Sequence, residues 1–347
     1  MIKKIYLLVS ITILSTTVSI AQNSVDINFD GLSFLDNREY KDFVARSRTY
    51  SGARTALDFG LNLDTLNHFV VGANGIHEFG AIPFFLKVDP IAYYKFESKT
   101  WLFDAGAFPR KGLIDNYPRA LLNDTLMYYR PNMEGLLARY QTPHFMETGW
   151  IDWVSRQTDT QREQFLFGAE GKYLPSLTGP FYVTHFFFLE HNAGAAILLP
   201  DDHIQDNGAA QIRLGLDFSK RQHLLDSLSV EAGVMTSLER TRGVDGLQTP
   251  TGFVSSLYAS YGRFAAFDEF YIGAGSHINY GDSFYEKHFY DRLDLMFTPF
   301  LGHHLKGQFV LSIHRTPGFT SNQEVFRVTY DLGRKIIARF KDDKSWM

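Results

Sequence analysis

Residues 208–218 read Gly-Ala-Ala-Gln-Ile-Arg-Leu-Gly-Leu-Asp-Phe, and this stretch decides the fold class. In an extended conformation its apolar face is formed by Ala210, Ile212, Leu214, Leu216 and Phe218. Its polar face is formed by Gln211, Arg213 and Asp217. Successive side chains on a strand point to opposite faces, so this segment has one apolar and one polar surface. The pattern predicts a strand that separates an apolar phase from water.

The same alternation recurs along the chain, without an apolar run long enough for a membrane-spanning helix. The predicted strands are 25–34, 51–63, 68–78, 83–96, 100–109, 132–141, 145–154, 164–173, 181–192, 208–218, 227–238, 252–263, 269–279, 290–300, 305–315 and 324–333. Together they predict an all-β protein, a transmembrane antiparallel up-and-down β-barrel of about sixteen strands, with fourteen to eighteen compatible with the pattern. The apolar face would meet lipid, and the polar face would line a lumen.

The connections between these segments alternate in length. Short connections include 64–67, 97–99 and 301–304, whereas 35–50 and 110–131 are long. A tight gap at 79–82 breaks the alternation. Bacterial outer-membrane barrels combine short periplasmic turns with longer external loops, and both termini then lie on the periplasmic side.

The N-terminus predicts export. Lys3 and Lys4 precede a largely apolar stretch, and Ser19-Ile20-Ala21 places small residues before a cleavage site. We therefore predict a cleaved signal peptide at 1–21, a single barrel domain at 22–347, and a location in the outer membrane. The chain has no Cys, which excludes disulfides and thiolate metal sites. A formal net charge of −4 predicts no nucleic-acid partner.

Aromatic residues, with 31 Phe and 18 Tyr, concentrate at the predicted strand ends. Tyr94, Phe96, Trp101 and Phe103 flank the connection at 97–99. Such rings favour the interface between membrane and water, because they span an apolar and a wet zone.

Charged residues on the polar parity are predicted to face the lumen, because a Lys or Arg facing lipid at midplane costs roughly 2–4 kcal/mol. These residues are Arg54, Asp58, Lys87, Asp89, Asp104, Glu134, Glu170, Lys172, Arg213, Asp217, Glu231, Arg292, Asp294 and Arg327. Neither sign dominates, so the sequence does not indicate strong selectivity for anions or cations.

The pattern as a whole resembles Gram-negative outer-membrane β-barrels of the general-porin type. The resemblance rests on the leader, the period-two strands, the loop asymmetry and the aromatic belts, and not on one specific motif. The chain departs from the family at its end, where porins close with a strand that finishes on an aromatic residue. Here Gly333 to Met347 continues past the last predicted strand, with Phe340 and Trp346 as aromatic candidates.

The resemblance implies that one long external loop folds into the barrel and narrows it. The longest connection, 110–131, is the candidate, and the alternative is an ordinary exposed loop. The residues that would line this constriction are Arg110, Lys111, Asp115, Tyr117, Arg119, Asp124, Tyr128, Tyr129 and Arg130. Charged groups around a narrow pore select by size and charge. Because general porins are trimers, the resemblance also implies a homo-oligomer.

Enzymatic chemistry is the main alternative. An acyl hydrolase needs a base within hydrogen-bond reach of its nucleophile, yet His185, His191, His277 and His314 lie on strands without a local catalytic signature. The carboxylates Glu134 and Glu170 lie two strands apart, a spacing that can suit an inverting glycosidase. Two further candidates remain. One is a calcium site in an external loop, at Asp201-Asp202 and Asp206. The other is a cluster at the external rim, formed by Trp150-Ile151-Asp152-Trp153 with Arg156, Arg162 and Glu163.

We predict a porin-like channel for passive diffusion of small hydrophilic solutes, including sugars or oligosaccharides, in contact with outer-membrane lipid. The prediction includes no enzymatic activity, no cofactor and no metal. The alternatives are a barrel enzyme that acts on lipid or glycan, and a structural or assembly barrel with a plugged lumen.

Overall fold

The structure is a computed structural model that describes residues 23–197, 199 and 202–340. The strands are β1 (Ser24–Glu39), β2 (Arg48–Asn62), β3 (Asn67–Glu78), β4 (Lys87–Glu97), β5 (Trp101–Pro109), β6 (Asn132–Gln141), β7 (Phe145–Ser155), β8 (Gln164–Tyr173), β9 (Phe181–Asn192), β10 (Gln205–Asp217), β11 (Ser227–Thr241), β12 (Thr251–Tyr261), β13 (Phe264–Gly273), β14 (Phe289–Leu301), β15 (Leu305–Thr316), β16 (Phe319–Asp331) and β17 (Lys335–Arg339). A short helix, α1 (Thr125–Tyr129), and a 3₁₀ turn (Ser283–Glu286) lie in two of the loops. No helix in these ranges is long and apolar enough to span a bilayer.

The sheet closes on itself through its first and last strands. Consecutive strands pair antiparallel, and β1 pairs with β2 on one edge and with both β16 and β17 on the other. Because β16 and β17 are separated only by 332–334 and share the same partner, they act as two parts of one closing strand. The protein is therefore a closed antiparallel barrel of sixteen strand positions, as the sequence predicts.

The closing strand ends later than predicted. The ladder with β1 continues through β17, and the Phe340 N–H donates to the Asn23 carbonyl oxygen at 2.8 Å. The aromatic residue Phe340 thus directly follows the last residue of the closing strand. Trp346 and the predicted signal peptide at 1–21 lie outside the described residues.

The alternation at 208–218 has the predicted consequence in β10. Ile212 and Leu214 are each 56% exposed on the outer surface of the barrel, whereas Gln211 and Arg213 are buried inside it. Burying the outer face in hydrocarbon removes apolar surface from water, which stabilises the protein by roughly 25 cal/mol per Å². The structure has the fold of an outer-membrane barrel.

Four predicted segments differ from the structure by four or more residues at one end or both. Strand β1 continues to Glu39, five residues past its predicted end. Strand β4 begins at Lys87, so the tight gap at 79–82 is in fact a loop over 79–86 that fits the alternation of loop lengths. Strand β13 spans Phe264–Gly273 instead of 269–279, because a two-residue turn at Gly262, with a positive φ of 58°, starts it early. Strand β16 begins at Phe319, after a turn in which Gly318 has a φ of 84°.

Candidate lipid-facing site

The loop at 110–131 folds into the barrel. Tyr117, Ala120, Leu121 and Tyr128 of this loop are buried, and the apolar members pack against side chains from the inner wall. A second loop, 274–288, joins it: the Asn123 N–H donates to the Tyr280 carbonyl oxygen at 2.7 Å. We call residues 110–131 and 274–288 together the luminal plug.

The plug has an apolar centre. Its buried residues pack with luminal aromatic and aliphatic side chains of the wall, including Phe188, Met235, Tyr271 and Tyr290, none of which exposes more than 1% of its surface. Such a cluster excludes water, because filling a close-packed interior leaves few voids. The loop that was expected to form a charged constriction therefore fills the upper lumen.

Each of the nine predicted constriction residues lies in or beside the plug, and most contact the wall. Arg110 and Arg130 pair with Asp152, Lys111 with Asp30 and Asp331, Arg119 with Asp282, Asp124 with Arg38 and Arg327, and Tyr129 with Glu78. Tyr117 accepts a hydrogen bond from Trp150, Tyr128 stacks on Phe34, and Asp115 accepts the Gly112 N–H. These charges are neutralised by fixed partners.

Asp124 is the ionic centre of the plug. Arg38 and Arg327 lie 3.0 and 3.1 Å from its carboxylate oxygens, and Arg119 lies 3.7 Å away. Burial alone would raise the pKa of Asp124, but the positive charges of Arg119, Arg38 and Arg327 lower that pKa well below its ordinary value. The carboxylate stays ionised and ties the plug to β1 and β16.

Most of the predicted luminal residues form ion pairs inside the barrel. The pairs are Arg54–Asp30 (3.1 Å), Asp58–Arg334 (2.8 Å), Lys87–Asp89 (2.7 Å), Glu170–Arg139 (3.7 Å), Arg213–Glu231 (3.4 Å), Arg213–Glu269 (3.0 Å), Arg292–Asp294 (3.4 Å) and Arg327–Asp124 (3.1 Å). Asp104 is buried, Lys172 lies 4.3 Å over the Tyr182 ring, and Asp217 accepts the Ser219 N–H at the periplasmic end.

Glu134 does not lie with these residues. It is exposed and alternates with the buried Met133, on the same strand face as the exposed Leu136. Glu134 therefore projects outward near the external end of β6, which corrects the prediction of a luminal side chain. Since Glu170 is buried inside, the two carboxylates lie on opposite sides of the wall and cannot form a glycosidase pair.

Three of the four histidines weighed in the sequence pair with carboxylates. His185 lies 3.2 Å from Glu147, His277 lies 3.3 Å from Glu239, and His191 Nδ1 lies 2.7 Å from Asp206 Oδ1. His314 is different: it is 1% exposed, its ring packs against those of Phe284 and Tyr290 in the plug region, and its Nδ1 lies 2.6 Å from the Tyr290 hydroxyl oxygen. Burial keeps substrate away from His314.

His191 belongs to a row of outward side chains at the external end of the barrel. Directly paired positions across five neighbouring strands place Trp153, Phe165, His191, Asp206 and Arg240 side by side. We call these five residues the rim row. They face outward because they alternate with buried residues such as Phe188 and Glu190 on β9. The row spans roughly 20 Å at ordinary strand spacing.

Contacts within the rim row fix the histidine. Its ring lies 4.9 Å from the Phe165 ring, while Asp206 receives a two-point contact from Arg242, at 2.7 and 3.1 Å. No described residue forms a hydrogen bond with His191 Nε2. A carboxylate that holds one imidazole nitrogen orients the other toward a reacting group, which is how a hydrolase prepares a general base.

The sequence contained His191 and Asp206 as separate candidates but did not bring them together. The missing signal was strand register: once β9 and β10 are paired, positions 191 and 206 are opposite each other. The predicted rim cluster contributes Trp153, whose indole N–H donates to Glu163 at 3.4 Å.

The described residues contain no group of three or more His, Cys, Asp or Glu side chains that could hold a metal ion. Of the predicted calcium ligands, Asp202 pairs with Arg162 and Asp206 with Arg242, while Asp201 lies outside the described residues. Arginine contacts occupy the oxygens that a calcium ion would need.

A family model described as lipid A 3′-O-deacylase-type matches residues 17–339, which is nearly the whole chain. The family is named for an enzyme, so this match overturns the prediction that the chain has no enzymatic activity. The match agrees instead with the alternative of a barrel enzyme that acts on lipid. A comparison with curated proteins found no match.

Solved structures similar to this chain include outer-membrane proteins, one of which is described as a porin. A loop L8 deletion mutant of OmpT from Vibrio cholerae has a TM-score of 0.57 at 10% identity, covering 89% of this chain and 99% of that one. An anion-selective porin from Comamonas acidovorans has a TM-score of 0.55 at 11% identity, with 89% and 100% covered. OprB from Pseudomonas putida has a TM-score of 0.53 at 9% identity, with 89% and 94% covered. At such identities the likeness concerns the fold.

Proposed function

Because this chain belongs to the lipid A 3′-O-deacylase-type family, we propose that it is an outer-membrane esterase that removes an ester-linked acyl chain from a lipid A-type glycolipid. The observation that carries the proposal is the Asp206–His191 pair, which faces outward at the external end of the barrel. A glycolipid of the outer leaflet presents its ester bonds at this level, between the sugar headgroup and the acyl chains. The substrate reaches the rim row from within the membrane plane.

In this proposal His191 is the general base. Nε2 takes a proton from a water molecule as the water oxygen attacks the ester carbonyl carbon. The tetrahedral intermediate then collapses, the bond to the sugar oxygen breaks, and the imidazolium returns the proton to that oxygen. The products are a fatty acid and a glycolipid with a free hydroxyl group. Water is the nucleophile because the rim row contains no hydroxyl or thiol side chain.

The neighbours of His191 have distinct roles. Asp206 holds Nδ1 and stabilises the imidazolium, and Arg242 fixes Asp206. Arg240 is exposed beside Asp206 and supplies a positive charge for a phosphate of the headgroup. Trp153 and Phe165 offer flat apolar surfaces to sugar rings and acyl chains.

The test uses the purified protein in mixed micelles with lipid A. Mass spectrometry should detect loss of one acyl chain from the lipid, together with one equivalent of free fatty acid. His191→Gln keeps a polar side chain of similar size but removes the base, and should lower the rate by about 10²–10⁴-fold. Intact lipid A after incubation with folded wild-type protein would refute the proposal.

A second candidate function is passage of small hydrophilic solutes. Two polar cavities inside the barrel favour it: one of about 280 Å³ beside Asp58, Asp104 and Arg334, and one of about 320 Å³ beside Glu170 and Arg213. The apolar plug opposes it, since water and ions avoid such a region. Conductance in planar bilayers separates the two candidates, because stepwise ohmic openings require a continuous wet path.

A further inference from the structure

A third cavity lies inside the barrel, between the plug and the wall formed by β1, β2 and β16. Its volume is about 360 Å³, within the range of ordinary ligand pockets, roughly 300–1,000 Å³. The wall contributes Leu32, Arg54 and Arg327, and the plug contributes Arg110, Leu122 and Leu126. It is separate from the rim row, which lies on the outer surface.

The polar part of the cavity is basic. Five cationic side chains, those of Arg54, Arg110, Lys111, Arg119 and Arg327, line it against three carboxylates. Three of the arginines keep a buried nitrogen without a hydrogen-bond partner: Arg54 Nε, Arg110 Nη1 and Arg119 Nε. The side chains of Arg54 and Arg110 are each only 8% exposed. Each of these arginines keeps a carboxylate partner, but a buried N–H donor without an acceptor is costly, so an anion that accepts from these three nitrogens would be stabilised.

Most of the remaining side chains of the lining are apolar. Leu32, Ile114, Leu122, Leu126 and Met127 contribute to it. Inorganic phosphate or a sugar has no apolar group that could contact these side chains, whereas the hydrocarbon tail of an amphiphile would cover them. The lining thus selects for a ligand with both an anionic group and an acyl chain.

The cavity has a route to solvent on the periplasmic side. It shares Asp30, Arg54 and Lys111 with the polar cavity of about 280 Å³, which also contains Arg334 from residues 332–334, between β16 and β17. The side chain of Lys111 is 43% exposed. A single-chain amphiphile therefore has a wet path along which its headgroup can enter.

We propose that this cavity binds the carboxylate of a fatty acid, with Arg54 and Arg110 donating to the carboxylate and the acyl chain against the Leu122 and Leu126 side. Arginine suits this role because its planar donors match a carboxylate. The site does not depend on the rim row, so it exists in a variant without esterase activity.

Native mass spectrometry of the full chain, released from a non-ionic detergent, tests the site with dodecanoate as the probe. We expect one dodecanoate bound to wild type and to His191→Gln alike. Dodecanol lacks the charge and acetate lacks the chain, so neither should bind at the same concentration. Dodecyl phosphate shows whether the site accepts a lipid phosphate as well as a carboxylate, and weaker binding than dodecanoate is expected.

Two variants locate the site. Arg54→Met removes one donor, while Asp30 keeps its contact with Lys111, and should weaken dodecanoate binding at least tenfold. Leu126→Trp leaves every charge in place but fills the cavity, and should abolish binding. Arg213→Met removes a buried luminal arginine outside this cavity and should leave binding unchanged.

Equal binding of dodecanol, or equal losses in Arg54→Met and Arg213→Met, would overturn the proposal, because fatty acid would then adhere to the outer apolar belt. Dodecanoate binding that survives Leu126→Trp would overturn it too. If the folded protein binds dodecanoate but does not hydrolyse lipid A, the proposed esterase function is refuted and the fatty-acid site stands.

Discussion

The lumen and the external rim use charged residues in opposite ways. In the lumen, Asp124 lies among Arg38, Arg119 and Arg327, and these ion pairs hold the plug against the wall. At the rim, Asp206 also contacts an arginine, but it holds a histidine whose second nitrogen has no partner among the described residues. Similar chemical groups therefore stabilise structure in one region and leave a reactive atom available in the other.

The largest expected effect is on stability and concerns the plug. Asp124→Ala leaves three arginines without their shared carboxylate, and we expect a loss of about 3–5 kcal/mol in the free energy of unfolding. Urea titration in detergent micelles, followed by tryptophan fluorescence, measures it. Asp217→Ala, at the periplasmic end, is the matched control and should cost far less. Equal losses would mean that the plug is not held by its ionic centre.

The same carboxylate predicts a pH dependence. Because the folded-state pKa of Asp124 is below its unfolded value, its stabilisation is complete at neutral pH and is lost as the pH falls below the ordinary value, about 4. The stability difference between wild type and Asp124→Asn should therefore shrink from pH 6 to pH 3. A difference that is constant across this range would exclude an ionised Asp124 as its cause.

The next effect is on rate and concerns the rim. Asp206→Asn removes the charge that orients His191 and stabilises the imidazolium, so kcat for acyl release should fall by roughly 10²-fold. The free energy of unfolding should change little, in contrast to the plug variants. If Asp206→Asn lowers the free energy of unfolding but leaves kcat unchanged, Asp206 stabilises the fold and does not act on His191 in catalysis.

Arg240 provides a smaller change at the rim. Arg240→Met removes one charge-assisted contact to a headgroup phosphate and should raise KM about tenfold with kcat nearly unchanged. Lipid A that lacks phosphate should show no difference between the two proteins. A fall in kcat alone would contradict a binding role.

The smallest effect returns to the plug. Tyr117→Phe removes the hydroxyl that accepts from Trp150 and donates to the Phe187 carbonyl oxygen, each at 3.0 Å, and should cost about 1 kcal/mol of stability. The urea midpoint measures this change. Acyl release should continue at the wild-type rate, since Tyr117 lies inside the barrel.

The sequence was sufficient for most of the barrel. Strands β6, β8 and β9 have the predicted bounds, because alternation along a strand and turn residues at its ends are local signals. The shift at β13 has a local cause as well: the turn at Gly262 brings Phe264 and Phe267 into a regular strand, whereas the predicted strand begins only at residue 269.

The candidate site could not be predicted from such local signals in the sequence. His191 and Asp206 are separated by a loop, and only the register between β9 and β10 makes them neighbours. The filling of the lumen depends on contacts between two loops more than 140 residues apart, such as Asn123 and Tyr280, which no periodicity encodes. Local sequence patterns thus predicted the strands of the barrel wall, whereas the proposed His191–Asp206 pair depends on how neighbouring strands are paired.

The most direct test compares two histidines on one strand. His191 and His185 both lie on the outer face of β9 and pair with carboxylates, but His185 is nearer the periplasmic end. Acyl release from lipid A should fall about 10²–10⁴-fold in His191→Gln and stay at the wild-type rate in His185→Gln. Equal rates in the two folded variants would contradict the claim that the rim row is the site of hydrolysis.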